Sequence, residues 1–140
     1  ISADALGASN SAQAAPEAPI VDLVTQADFA KLHRICECSL YLDSHSSQSI
    51  FETYEHRTQA LMRLDGKLVS LVLFDARGDE RCVVGKKHEE YWRGLGIRAV
   101  IKLKVDGVAE RAEACWYHGQ IEVTTPRGRT TRVVNGACGC

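Results

Sequence analysis

Six cysteines constrain this chain more than any other feature. Cys36 and Cys38 form one Cys-x-Cys, Cys82 and Cys115 stand singly, and Cys138 and Cys140 form a second Cys-x-Cys. An even count in an exported chain reads as a disulfide framework. Geometry narrows the pairing. Residues i and i+2 of a strand point the same way but sit about 6.5–7 Å apart, too far for an unstrained disulfide. Neither Cys-x-Cys is therefore expected to bond internally. Two strands laid side by side bring both thiol pairs into register. Cys36 and Cys38 are thus expected to bond Cys138 and Cys140, in an order that spacing does not assign, and Cys82 to bond Cys115. Closing a loop of ~100 residues stabilises by up to about 4.7 kcal/mol on chain-entropy grounds, and it clamps a C-terminus that would otherwise fray.

Metal is the rival use of the same sulfurs. Two Cys-x-Cys elements offer four thiolates, and His33 stands three residues before Cys36. Structural zinc uses a Cys-x2–4-Cys spacing, and copper-handling surfaces tend to add thioethers, whereas Met62 is the single methionine. No metal or other cofactor is expected, with a thiolate carrier of copper or zinc as the alternative. Redox-active thiols lack the Cys-x-x-Cys that would support them.

Residues 1–19 differ from the rest. They hold seven Ala, three Ser, Pro16 and Pro19, with Asp4 and Glu17 as the charges and no aromatic. Such a segment has too little apolar bulk to offset ordering entropy, so 1–19 is expected to be a disordered tether and 20–140 a single domain. The chain opens on Ile1, and no basic-then-apolar leader is present, as expected of a processed exported chain. A hydrophobic fraction of 45% and a charged fraction of 25% exclude collagen-like and wholly disordered chains. No run approaches the ~20 apolar residues of a membrane helix.

Periodicity gives a mainly β fold. Val21 to Ile35 is the one helix candidate, with Thr25 as N-cap and Asp28 three residues on. Beyond Cys36 the period is two. Ala60, Met62 and Leu64 alternate with Leu61, Arg63 and Asp65, and Asp65-Gly66 is a favoured hairpin pair. Leu68 to Phe74 is apolar on both faces except at Ser70, which predicts a strand covered on both sides or lying centrally. Ile101, Leu103 and Val105 oppose Lys102 and Lys104. Asp106-Gly107 is a turn signal, and Thr125-Pro126-Arg127-Gly128 fits a type I turn. Gly78, Gly85, Gly94, Gly96 and Gly119 read as punctuation between strands. The expected architecture is an antiparallel sheet curled into a sandwich or partial barrel, stapled by disulfides, with one N-terminal helix and α+β as the neighbouring class.

No catalytic motif is present: there is no nucleophile elbow, zincin helix, phosphate loop or dinucleotide fingerprint. A non-enzymatic protein is expected; an enzyme would need a cleft gathering His88, Glu89 and Glu90, or His118. The densest functional segment runs through Lys86, Lys87, His88, Tyr91, Trp92 and Arg93, read as a polar loop or, more sharply, as a partner-binding surface, because Tyr, Trp and Arg are enriched at interface hot spots. Trp116 beside Cys115 reads as a core ring on a disulfide. Charge is divided along the chain: residues 1–80 carry net −6 and residues 81–140 net +5. Strands pairing across that divide would neutralise one another; otherwise it leaves a one-signed face. Lys86, Lys87, Arg93, Arg98, Lys102 and Lys104 form a basic run, yet no recognition module for nucleic acid is apparent, and none is expected to bind.

The segment Leu61-Met-Arg-Leu-Asp-Gly-Lys-Leu-Val-Ser-Leu71 and the ending Gly136-Ala-Cys-Gly-Cys140 resemble small uncharacterised periplasmic or lipoprotein-type proteins of Gram-negative bacteria, over roughly residues 36–140. The resemblance implies an envelope location and a β-rich fold, and carries over no activity and no functional residue. Periplasmic β-proteins of this size include lysozyme inhibitors and immunity proteins against cell-wall-degrading toxins. The expectation is a periplasmic or secreted binding protein, an inhibitor or immunity protein in its most concrete form, engaging a protein partner. A lipid ahead of Ile1 would tether it to a membrane. A structural component of the envelope is the second alternative.

Overall fold

The computed structural model describes residues 18–30, 32, 34, 36–42, 48–109 and 114–139. Residues 1–17 of the expected tether, His33 and Cys140 lie outside the described residues, and so does any pairing of Cys140. Pro19, at the tether's expected end, is buried, and its carbonyl accepts the Thr130 hydroxyl.

The strands are β1 (Val21–Asp22), β2 (Cys38–Tyr41), β3 (Phe51–Tyr54), β4 (Gln59–Leu64), β5 (Lys67–Gly78), β6 (Lys87–Gly94), β7 (Ile97–Val108), β8 (Ala114–Thr125) and β9 (Gly128–Gly139). One short helix, α1 (Gln26–Phe29), follows β1. The expected curled antiparallel sheet is present, and it closes completely. The strands run β4-β3-β2-β9-β8-β7-β6-β5, and β5 returns to pair with β4. The result is an eight-stranded barrel, while β1 continues the line of β3 along one edge of β4. Eight strands enclose a space that side chains just fill. Met62, Leu71, Ile101 and Ile121 are wholly buried there, and Trp92 meets Phe51 edge-on with ring centroids 5.1 Å apart.

Turn chemistry was well marked. Asp65 and Gly66 both take positive φ, at 52° and 78°, as a two-residue hairpin requires. Pro126-Arg127 turns β8 into β9, and Leu95-Gly96 turns β6 into β7.

The cysteines pair as their spacing predicts. Cys38 and Cys138 lie directly opposite each other in the β2–β9 ladder, with Cα atoms 4.1 Å apart and 100 residues between them in sequence. Cys115 faces Cys138 across the β8–β9 ladder and bonds Cys82 in the β5–β6 connection. Cys36 is also disulfide-bonded. Stable disulfides of this kind belong to oxidising compartments outside the cytosol. No helix of the described residues is long and apolar enough to cross a membrane.

The expected helix over Val21–Ile35 is much shorter. Its N-terminus forms as the sequence predicts, with a capping box between Thr25 and Asp28, but Val21–Asp22 is strand and the helix stops after Phe29. Tertiary contacts override propensity. Arg63 on β4 donates to both oxygens of Asp28, at 2.8 and 2.7 Å. Five residues beyond the helix, Arg34 reaches the Thr53 carbonyl at 3.0 Å and the buried Glu52 carboxylate at 2.5 Å. Fifteen residues of straight helix would span ~22 Å and carry Arg34 off β3.

Three further expectations change. Asp106-Gly107 is a bulge inside β7, where the register shifts between Val105 and Gly107, and the Asp106 carboxylate is hydrogen-bonded to His118. Gly119 sits in the middle of β8 and is no boundary. A Cβ there would lie 1.8 Å from the Lys102 carbonyl oxygen, so only glycine lets β7 pass. Trp116 is 49% exposed, because Cys115 and Tyr117 take the inward positions of β8.

Strain is concentrated between β3 and β4. Glu55, His56 and Arg57 all take left-handed φ, at 52°, 56° and 63°. Each such non-glycine residue costs about 1–2 kcal/mol in a left-handed helical run. Glu37 holds the turn: its carboxylate accepts the backbone N–H of His56 at 2.9 Å and of Arg57 at 3.0 Å, and the Thr53 hydroxyl at 2.7 Å.

Two outcomes test this account. Gly119→Ala is expected to lower stability by about 3 kcal/mol or more, read from urea unfolding midpoints; a loss under about 1 kcal/mol would mean that β7 and β8 can part there. Arg63, and then the Thr25 N–H, hold the Asp28 carboxyl at about 2, below its ordinary 3.8. The stabilisation is fully present above pH 4 and is lost as pH falls through about 2. Asp28→Asn should therefore cost about 1–2 kcal/mol at pH 7 after allowance for solvent screening. The gap between variant and parent should close on acidification.

Candidate functional site

Residues 87–94 are strand β6 and not a loop. Their alternation was hard to read because two of the inward side chains are polar. His88, Glu90 and Trp92 point into the barrel; Lys87, Glu89, Tyr91 and Arg93 point out. The inward set satisfies itself. The Trp92 indole donates to Glu90 at 3.0 Å, the other Glu90 oxygen lies 3.3 Å from His88 Nε2, and His88 stands edge-on to Tyr117. Burial, with the Glu90 charge, pushes the Tyr117 hydroxyl above its ordinary value, against the opposing pull of Arg57. His88, Glu90 and Tyr117 border a small recess of about 80 Å³, whose lining also includes exposed Ala76 and Glu80.

His88 and Trp92 therefore leave the expected partner-binding set, being 8% and 1% exposed. Lys86, Lys87, Tyr91 and Arg93 remain on the surface or near it. The residues that an enzyme would need are dispersed: His88 and Glu90 face the lumen, Glu89 faces out, and His118 lies on the outer face beside Asp106.

The outer face of β5, β6 and β7 carries the densest chemistry. Arg77 lies over the Tyr91 ring at 4.9 Å, Tyr91 packs against Phe74 at 6.3 Å, and Arg93 lies over Phe74 at 4.1 Å. Two guanidinium groups thus bracket two aromatic rings. The Tyr91 hydroxyl donates to Glu89, which raises its pKa, and partial desolvation adds to that. Beside this stack, Leu68, Val72 and Phe74 are 42%, 52% and 43% exposed. Of the two expectations for 68–74, a central place holds, since β5 pairs with both β4 and β6, while cover on both sides is corrected: Val69, Leu71 and Leu73 face the core, whereas the other side of the strand faces solvent. Phe74 continues that outer row by simple alternation, and the bulge between Leu73 and Asp75 brings Asp75 and Arg77 to the same face, opposite Tyr91 and Glu89.

Next to the apolar row lies a basic band. Lys87 stands directly opposite Lys104, and Arg93 directly opposite Arg98. Like charges so placed destabilise a sheet. Among the described residues, no carboxylate forms an ion pair with Lys87, Arg93, Arg98, Lys102 or Lys104. Among the described residues two ion pairs cross the divide in sequence charge, Asp65–Arg127 and the local Asp79–Arg81, both at 2.8 Å. Arg34, Arg63 and Arg77 pair with acids of their own half. The outer face of β6 and β7 is thus mainly positive, with Glu89 directly opposite Lys102 as an acid within it.

Sequence reasoning missed Leu68, Val72, Phe74 and Arg77. Their signal was the two-sided apolar run itself, which does not say which side lies bare. As for the alternative metal site, Cys36, Cys38, Cys82, Cys115 and Cys138 are all disulfide-bonded, leaving no thiolate among the described cysteines. No protein family, no curated protein and no solved structure matches this chain.

Proposed function

We propose that the protein is a non-enzymatic binding protein of the periplasm or secreted space, and that it engages an acidic protein partner through the outer face of β5–β7. An inhibitor or immunity protein is the most concrete form of this reading. The observation that carries it is the Arg77–Tyr91–Phe74–Arg93 stack, held at the surface beside half-exposed Val72. An apolar centre with Tyr and Arg anchors and a polar rim is the anatomy of a protein interface. The rim here is mainly cationic, with Lys87, Arg93, Arg98 and Lys104 outnumbering Glu89, which favours an acidic partner and steers its approach. Disulfides support the location.

The test is quantitative capture from an envelope extract with the wild-type chain and with Val72→Glu and Arg93→Glu. Both positions face solvent, so thermal stability should change little. One stoichiometric partner is expected, bound about 30-fold or more weakly by each variant, with association slowed by salt. An empty capture, or a partner that both variants retain at full affinity, contradicts the reading.

A further inference from the structure

The turns at 65–66, 95–96 and 126–127 gather at one end of the barrel, beside a cleft of about 810 Å³. The cleft exists because the β5–β6 ladder stops at Val72 and Arg93. From Lys67 to Leu71, β5 has ladder partners on β4 alone, while Gly94 at the end of β6 still packs against Ser70, whose carbonyl oxygen would lie 2.9 Å from a Cβ there. Leu64, Val69, Leu95, Ile97 and Pro126 supply apolar walls. The lumen above is solid, since Leu71, Met62 and Trp92 are fully buried, so an occupant lies across the mouth and does not enter the barrel.

Two features speak to the occupant. Leu95, on the hairpin tip, is 100% exposed, a large apolar side chain presented wholly to solvent at the cleft's edge. The charges are also unequal. Asp65 and Arg127 neutralise each other at 2.8 Å, and Asp65 further accepts the Ile20 N–H at 3.0 Å. Lys67 lines the same cleft with no carboxylate partner among the described residues. An apolar trough with an ammonium at its rim that no described carboxylate pairs complements a molecule with an apolar tail and a single anionic head. The volume lies within the ~300–1,000 Å³ of small-molecule sites.

We propose that this cleft binds a single-chain anionic amphiphile, its tail along Leu95, Ile97 and Val69 and its carboxylate or phosphate head at Lys67. The site is separate from the outer face of β5–β7 and does not rest on the protein-binding reading.

Titration calorimetry below micellar concentrations tests it with four probes: dodecanoate, dodecyl phosphate, dodecyltrimethylammonium and acetate. Saturable one-to-one binding of dodecanoate or dodecyl phosphate is expected, and whichever binds tighter identifies the head group. Acetate should not bind, and the cationic chain should bind at least about tenfold more weakly than the better anion. Lys67→Glu should weaken the anionic probes about tenfold or more and narrow or reverse the preference over the cationic one. Leu95→Ser alters a fully exposed side chain, so it should fold normally and weaken all three dodecyl probes about tenfold. No heat with either anionic chain, equal affinity for the cationic chain, or indifference to both substitutions overturns the proposal.

Discussion

The seam between β2 and β9 is the constraint on which the rest of the molecule depends. It joins strands 100 residues apart through the bridge between Cys38 and Cys138, and it is the contact that closes into a barrel what would otherwise be one open eight-stranded meander. β2 is four residues long and meets β9 over Cys38–Tyr41 alone, so few ladder hydrogen bonds hold it. Entropy opposes bringing such distant segments together. The covalent link removes most of that penalty from the folded side by imposing it on the unfolded chain. The Cys82–Cys115 bridge extends the clamp to the β5–β6 connection, at the end from which β6 begins.

Closure in turn decides which side of each strand is bare. With both faces of a flat sheet available, the apolar run over 68–74 would find cover twice. In a barrel it finds cover once, and Leu68, Val72 and Phe74 are left outside. The same closure presses β7 against β8 so closely that Gly119 has no room for a side chain. It also sets the left-handed turn at 55–57 close to Glu37, whose carboxylate takes up the backbone N–H groups that the turn directs at it.

Much of this was legible in the chain. Local turn chemistry at Asp65-Gly66 and Thr125–Gly128, the alternation from Ala99 to Val105, and the cross-pairing of Cys-x-Cys elements each follow from short-range geometry that a sequence states directly. What was not legible depends on distant partners. The helix after Thr25 is cut short by Arg63 and Arg34. β6 was hidden because His88 and Glu90 satisfy each other in the interior and so look like surface residues. The bulge at Asp106-Gly107 carries the composition of a turn, and Trp116 was misplaced by a parity that Tyr117 decides. For the candidate site, sequence supplied the basic residues, Tyr91 and Arg93. Only the fold could divide them from His88 and Trp92 and bring Phe74 and Arg77 alongside.

The barrel thus leaves two surfaces unlike the rest of its exterior, an aromatic and cationic face over β5–β7 and an apolar cleft among the hairpin turns, both positioned by strands that the cystine seam keeps in register. Peptide mapping of the non-reduced protein tests that seam directly. Cleavage after Glu37 parts Cys36 from Cys38, and fragmentation then resolves the residues of the C-terminal peptide. Cys38 linked to Cys138, together with Cys82 linked to Cys115, is the predicted result. A bond between Cys36 and Cys38, a link from Cys38 to Cys115, or a free thiol at Cys138 would contradict the closed barrel and the surfaces built upon it.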